Sequence, residues 1–120
     1  MIQEEKELLL KDLCARLPYK IAVEDEYGDT LYLDYKDVHF EHYVNNILEG
    51  NIKPYLFPLS SMTEEQKKEL SSFDPFKTDE VKTLGDWAIR LVEFYNKHHL
   101  DYHGLIEKGL AIDATGLNIY

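Results

Sequence analysis

The chain holds a single cysteine, Cys14, so no disulfide can close within it. That pattern fits a reducing compartment. Basic side chains are also scarce. Thirteen stand against 23 acidic ones, the formal charge is −10, and no basic cluster exceeds Lys67–Lys68. Phosphate backbones are gripped by clustered Lys and Arg, so direct nucleic-acid binding is not expected. An acidic surface favours solubility, basic partners, or imitation of a nucleic acid. No run approaches the ~18 uninterrupted apolar residues of a membrane span, and "MIQEEKELLLKD" lacks the basic start and apolar stretch of a signal peptide. The expectation is a cytoplasmic protein with no membrane partner. Also missing are G-x-S-x-G, the P-loop, the dinucleotide-binding glycines and HExxH. The common motif-bearing enzymes are thereby removed, and neither a catalytic residue nor a cofactor is expected.

What remains is an ordinary globular composition, 44% hydrophobic and 30% charged over 120 residues. That length suits one domain spanning residues 1–120. The expected fold is α+β: a small antiparallel sheet, with a hairpin near residues 19–35, packed against about four helices.

The first helix is read in "QEEKELLLKDLCARLP", with Leu9, Leu10, Leu13, Cys14 and Leu17 at helical spacing and Pro18 as the stop. On that stripe Cys14 reads as a small, buried, inert hydrophobe. "YKIAVEDEYGDTLYLDY" alternates as a hairpin does, with "DEYGD" as its turn. Ile21 and Val23 share one face, as do Leu31 and Leu33, which leaves Tyr32 opposite them. Residues 38–49 admit two readings. Phe40, Tyr43, Val44, Ile47 and Leu48 match an amphipathic helix capped by Asp37 and ended by Gly50; Val38, Phe40, His42 and Val44 match a strand. Pro54 and Pro58 assign "IKPYLFPLSS" to an edge or loop. Ser61 and Glu64 stand in capping-box relation, with Glu64–Lys68 as a favourable pair. The longest helix is expected at about 79–98, with Asp79 and Glu80 in its first turn. Its stripe is Val81, Leu84, Ala88, Leu91, Val92 and Tyr95, widened by Trp87 and Phe94. A short helix between Asp101 and Gly109 and a tail packed through Leu110, Ile112, Leu117 and Ile119 complete the reading.

The histidines come in two groups: His39 and His42, then His98, His99 and His103 within "NKHHLDYHGL". His39 and His42 face one way on a helix, and Asp101 could complete a ligand set with His98 and His99. The alternative is plainer. Lys97, His98 and His99 would close a helix whose last carbonyls favour cationic neighbours, and Asp101 would begin the next turn. "EDEYGD" could hold a hard cation but lacks the ligand ladder of an EF-hand, and turns attract such residues anyway. Tyr27, Tyr32 and Tyr35, with Asp25, Glu26 and Asp29 around them, form an aromatic–acidic surface of the kind used in protein contacts. The competing reading covers the Tyr32 face with a helix and makes that ring core.

"KDLCARLPYKIAVE", "IKPYLFPLSSMTEEQKKE" and "HHLDYHGLIEKGLAIDA" together resemble a family of short uncharacterised proteins from Bacteroidetes bacteria and their phages and mobile elements. The resemblance runs from about Lys11 to Ala114 and is weakest from Asp37 to Glu49. It implies an intracellular, phage-related protein with an N-terminal α/β portion and a helical C-terminal portion, and it brings no activity. Members often carry arginine where this chain has His103, so the resemblance speaks against a metal site that needs His103. The expected function is therefore a non-enzymatic interaction or accessory protein acting on a protein partner. A metal-binding protein or metal-dependent hydrolase is the first alternative, and an acidic mimic of DNA the second.

Overall fold

Alternation in residues 19–35 produces the hairpin expected from it. The computed structural model describes residues 1–74 and 83–120. In it, β1 (Ile21–Glu24) pairs antiparallel with β2 (Thr30–Leu33), with Ile21 opposite Leu33 and Val23 opposite Leu31. Two further strands extend the sheet, β3 (Lys53–Leu56) and β4 (Ile112–Asp113), in the order β2-β1-β3-β4. The β3–β4 pair is parallel, so the sheet is mixed, and the fold is α+β. Four α-helices accompany it among the described residues: α1 (Gln3–Arg16), α2 (Phe40–Leu48), α3 (Glu64–Ser72) and α4 (Leu84–Lys97). None is long and apolar enough to cross a membrane.

One face of the sheet buries Ile21, Val23, Leu33 and Leu56 against Leu9 and Leu13 of α1 and Ile47 of α2. Each such aliphatic side chain contributes roughly 1.5–3 kcal/mol when fully buried. The other face is narrower: Ala22, Tyr55 and Ala114 pack with Phe57, Ile112 and Ile119. Among the described residues, that second face is covered by the end of the chain, through Ile119 and Tyr120, and by no helix. A third cluster, Phe73, Phe94 and Leu100, joins α3 to α4.

Pro54 sits in an interior strand, contrary to the edge or loop expected of it. Val23 turns its N–H and C=O toward β2, so the Val23–Pro54 pair on the β3 side makes no ladder bond. The Pro54 nitrogen therefore points away from β1, toward the β4 side, where the ladder begins only at Tyr55. No hydrogen bond is lost, and the proline is tolerated.

Other local expectations shift for identifiable reasons. Helix α1 buries Asp12 and Arg16 beside Leu9 and Leu13, while Leu10 and Cys14 are exposed. The Cys14 expectation is thus overturned: an ion pair, not a thiol, occupies the inner face. Segment 38–49 is the helix α2, but its N-cap is His39, and the Asp37 carboxylate accepts the His39 N–H one turn earlier. Helix α3 is capped by Thr63 with Gln66 in a reciprocal box, two residues later than the Ser61–Glu64 pair, and Glu64 meets Lys67 instead of Lys68. Helix α4 begins after Thr83, whose hydroxyl accepts the Asp86 N–H; Asp79, Glu80 and Val81 lie outside the described residues. Its inner side carries Trp87, Leu91, Phe94 and Tyr95, and Leu84, Ala88 and Val92 of the expected stripe are exposed. Asp101 to Gly109 forms successive turns and no helix.

Candidate functional site

Two regions gather the chemistry-bearing residues, and they differ in kind. The first is the hairpin surface. Asp25 builds the turn itself, its carboxylate accepting the N–H groups of Tyr27 and Asp29 at 2.9 Å each. Gly28 takes φ +81, the left-handed conformation that glycine adopts without strain. Asp25 is thereby committed to the turn, whereas Glu26, Tyr27 and Asp29 face solvent. Tyr27 is 82% exposed and Tyr35 61%. Three residues after Tyr35, past the end of β2, Val38 is 90% exposed, a residue that the amphipathic pattern of the following helix does not mark as surface. Lys36 places its ammonium 5.7 Å from the Tyr35 ring centre, a loose cation–π contact.

Tyr32 falls between the two readings offered for it. Its hydroxyl donates to the Ile119 carbonyl and Lys20 Nζ lies 4.4 Å over its ring, yet 41% of the residue stays exposed. It anchors the tail with one end and presents a ring edge with the rest.

The second region is buried and joins residues distant in sequence. Arg16 Nε donates to Asp12 Oδ1 at 2.6 Å, and its Nη2 donates to Asp12 Oδ2 at 3.2 Å and to the Leu100 carbonyl at 2.6 Å. His103 Nδ1 lies 2.7 Å from Asp12 Oδ2, and the Arg16 guanidinium stands 5.3 Å from the Tyr102 ring centre. A carboxylate shared by a guanidinium and an imidazole is well compensated, and removing one partner of such a buried pair typically costs about 3–5 kcal/mol. The pair ties α1 to the segment after α4. An Asp–Arg spacing of four was visible in "DLCAR"; that it would be buried, and joined by a histidine 91 positions on, was not.

His99 adjoins this network and stacks on Tyr120, ring centres 3.6 Å apart and planes 12° off parallel. Burial, then the charges of Arg16 and His98, push its pKa down to about 4, so the ring is neutral at physiological pH. The Tyr120 hydroxyl in turn accepts the Ala22 N–H and donates to the Tyr55 carbonyl, both at 2.9 Å. Ala22 and Tyr55 are the next pair along the β1–β3 ladder, so the phenol relays a bond where the strands part. Burial of that hydroxyl pushes its pKa up to about 12, although the residue as a whole reaches the surface. Among the described residues, Arg16 Nη1 and His99 Nδ1 are buried without a hydrogen-bond partner.

The remaining histidines and Asp101 have separate engagements. His98 Nε2 lies 2.8 Å from Glu69 of α3, which Lys97 also meets at 3.3 Å. His39 and His42 both pack against Tyr43 on an exposed part of α2. Asp101 accepts the N–H groups of Leu105 and Ile106 at 2.9 Å. Among the described residues no three His, Cys, Asp or Glu side chains form a group able to hold a metal ion. No family model matches the chain, and no curated protein or solved structure matches it.

Proposed function

We propose that the protein works by binding another protein, without catalysis, through the acidic hairpin surface bearing Tyr27, Tyr32 and Tyr35. The observation that carries this reading is the exposure of Tyr27 in the hairpin turn and of Tyr35 and Val38 after the far end of β2, in a stretch whose charges are mostly acidic. Aromatic rings supply large contact area for little conformational entropy and dominate binding energy where they are anchors. Glu26 and Asp29 would form a polar rim and favour a basic partner. The intracellular, phage-related setting implied by the family resemblance belongs to the same proposal.

The test is affinity capture from the native host, comparing the unmodified protein with a Tyr27→Ser, Tyr35→Ser, Val38→Ser variant. All three side chains are exposed, so the variant should melt within about 1 kcal/mol of the parent. A partner recovered by the parent and lost by the variant supports the proposal. A partner retained equally by both defeats it. A Leu84→Ser, Val92→Ser variant, altered on the exposed side of α4, should capture as the parent does.

A further inference from the structure

The sheet ends at β2, and the pairing register says which of its backbone groups are spare. Asp25 N–H donates to the Asp29 carbonyl at 2.9 Å. That pair therefore faces inward, and in antiparallel pairing inward and outward pairs alternate. Val23–Leu31 and Ile21–Leu33 then exchange the ladder bonds, and Thr30 and Tyr32 turn their N–H and C=O groups to the outer edge. The Ala22 N–H agrees with this, since it points the other way, to the Tyr120 hydroxyl. Among the described residues no hydrogen bond reaches the N–H or C=O of Thr30 or Tyr32 from outside.

Exposed edges are usually guarded by charges or proline within the strand. Here the strand reads Thr-Leu-Tyr-Leu, with neither. Its own charges stand at its ends and are mostly acidic; among the described residues the one base over the strand itself is Lys20, 4.4 Å from the Tyr32 ring centre. From Glu24 to Asp37 there are acids at 24, 25, 26, 29, 34 and 37, and Lys36 is the one base. Two copies pairing edge to edge, antiparallel, would bring the acids flanking each strand, Asp29 and Asp34 among them, up against those of the other, on chains of charge −10. Like charges brought together in this way are unfavourable. A strand bearing Lys or Arg at its ends meets the same positions with attraction. A cleft of about 370 Å³ lies at the end of the strand, lined by Leu17, Lys20, Tyr32, Leu33, Asp34 and Tyr35, and offers room for a side chain of the newcomer.

We infer that β2 accepts an extended, cationic segment of a partner protein as a fifth strand. The inference rests on the hairpin-surface reading above and specifies how the partner binds. Backbone bonds to Thr30 and Tyr32 supply the register, and the flanking acids select the charge.

The experiment uses the unmodified protein and three synthetic probes: a short peptide alternating lysine and valine, its glutamate counterpart, and the lysine peptide with alternate amides N-methylated. Amide hydrogen exchange is followed residue by residue. At a peptide concentration ten times its Kd, exchange at Thr30 and Tyr32 should slow about tenfold, and the other two probes should leave it unchanged. If the lysine peptide binds and perturbs Tyr27 and Tyr35 while Thr30 and Tyr32 exchange as before, strand addition is overturned and the hairpin-surface reading stands. Absence of binding by the lysine peptide also overturns it, and the capture comparison with the Tyr27, Tyr35 and Val38 variant then judges the broader reading alone. Protection that grows with protein concentration in the absence of peptide identifies a second copy as the occupant and overturns it too.

Discussion

His99 occupies a position where glycine is the usual residue. Helix α4 ends with the His99 N–H on the Asn96 carbonyl and the Leu100 N–H on the Tyr95 carbonyl, the paired bonds of a Schellman motif, and His99 takes φ +57. Helix α2 ends in the same way, and there Gly50 takes φ +84. A left-handed conformation costs a residue with a side chain roughly 1–2 kcal/mol. At His99 that cost is offset by the stack on Tyr120 and by burial of the ring. His99→Ala keeps the strain and loses the stack, and should lower stability by about 2 kcal/mol in urea unfolding. His99→Gly loses the stack but relieves the strain, so it should lie about 1 kcal/mol above the alanine variant. A glycine variant less stable than the alanine variant would contradict this account.

At the scale of elements, the β1–β3 seam depends on a side chain from the far end of the chain. Tyr120→Phe keeps the ring on His99 but strands the Ala22 N–H and the Tyr55 C=O. An unsatisfied buried polar group costs about 1–3 kcal/mol. The variant should therefore unfold at lower urea, and the Ala22 amide should exchange faster than its neighbours in β1. Exchange at Ala22 unchanged from the parent would show that the relay does not hold the seam. Elements governed by near-neighbour chemistry were legible in the sequence: the hairpin from its alternation, and the body of α4, though only part of its expected stripe, Leu91, Tyr95, Trp87 and Phe94, turns inward. Residues 38–49 admit both a helix and a strand, and the helix reading with its Gly50 stop is the one that the fold takes. Elements decided by distant partners were not legible. Pro54 entered an interior strand because its nitrogen faces the β4 side, where pairing begins only at Tyr55. The α1 stripe turned inward on Asp12 and Arg16 because the Leu100 carbonyl and His103 wait there. Ser61 lost the cap to Thr63, since Leu59–Ser61 forms a 3₁₀ turn before the helix starts.

On the scale of the molecule, the buried ring of His99 and the hydroxyl of Tyr120 set the pH range of the fold. His99 is neutral when folded, and burial holds its pKa at about 4 against 6.5 for a free histidine. Stability is therefore complete above pH 6.5 and falls as pH drops toward 4, because the unfolded chain takes up the proton first. The loss over that window is about 3 kcal/mol. Glu69 acts in the same sense: burial raises its pKa, but the hydrogen bonds from His98 and Lys97 outweigh this and lower it, so its contribution too fades in acid. Tyr120 works at the other end. With its pKa pushed from 10 to about 12, its contribution is intact below pH 10 and lost as pH rises beyond. Melting temperature should form a plateau between about pH 6.5 and 10, and a flat profile from neutral pH down to 4 would refute the assignment. The candidate site divides along the same line as the fold. Tyr27 and Tyr35 were legible because turn chemistry exposes them; Val38 and the open edge of β2 were not, since they depend on which neighbours fail to arrive. The measurement that tests the central claim most directly is amide hydrogen exchange of the protein free and bound to its captured partner. Protection concentrated in residues 24–38 is the predicted result. Protection elsewhere, for example along α4, with the hairpin unchanged, would contradict it.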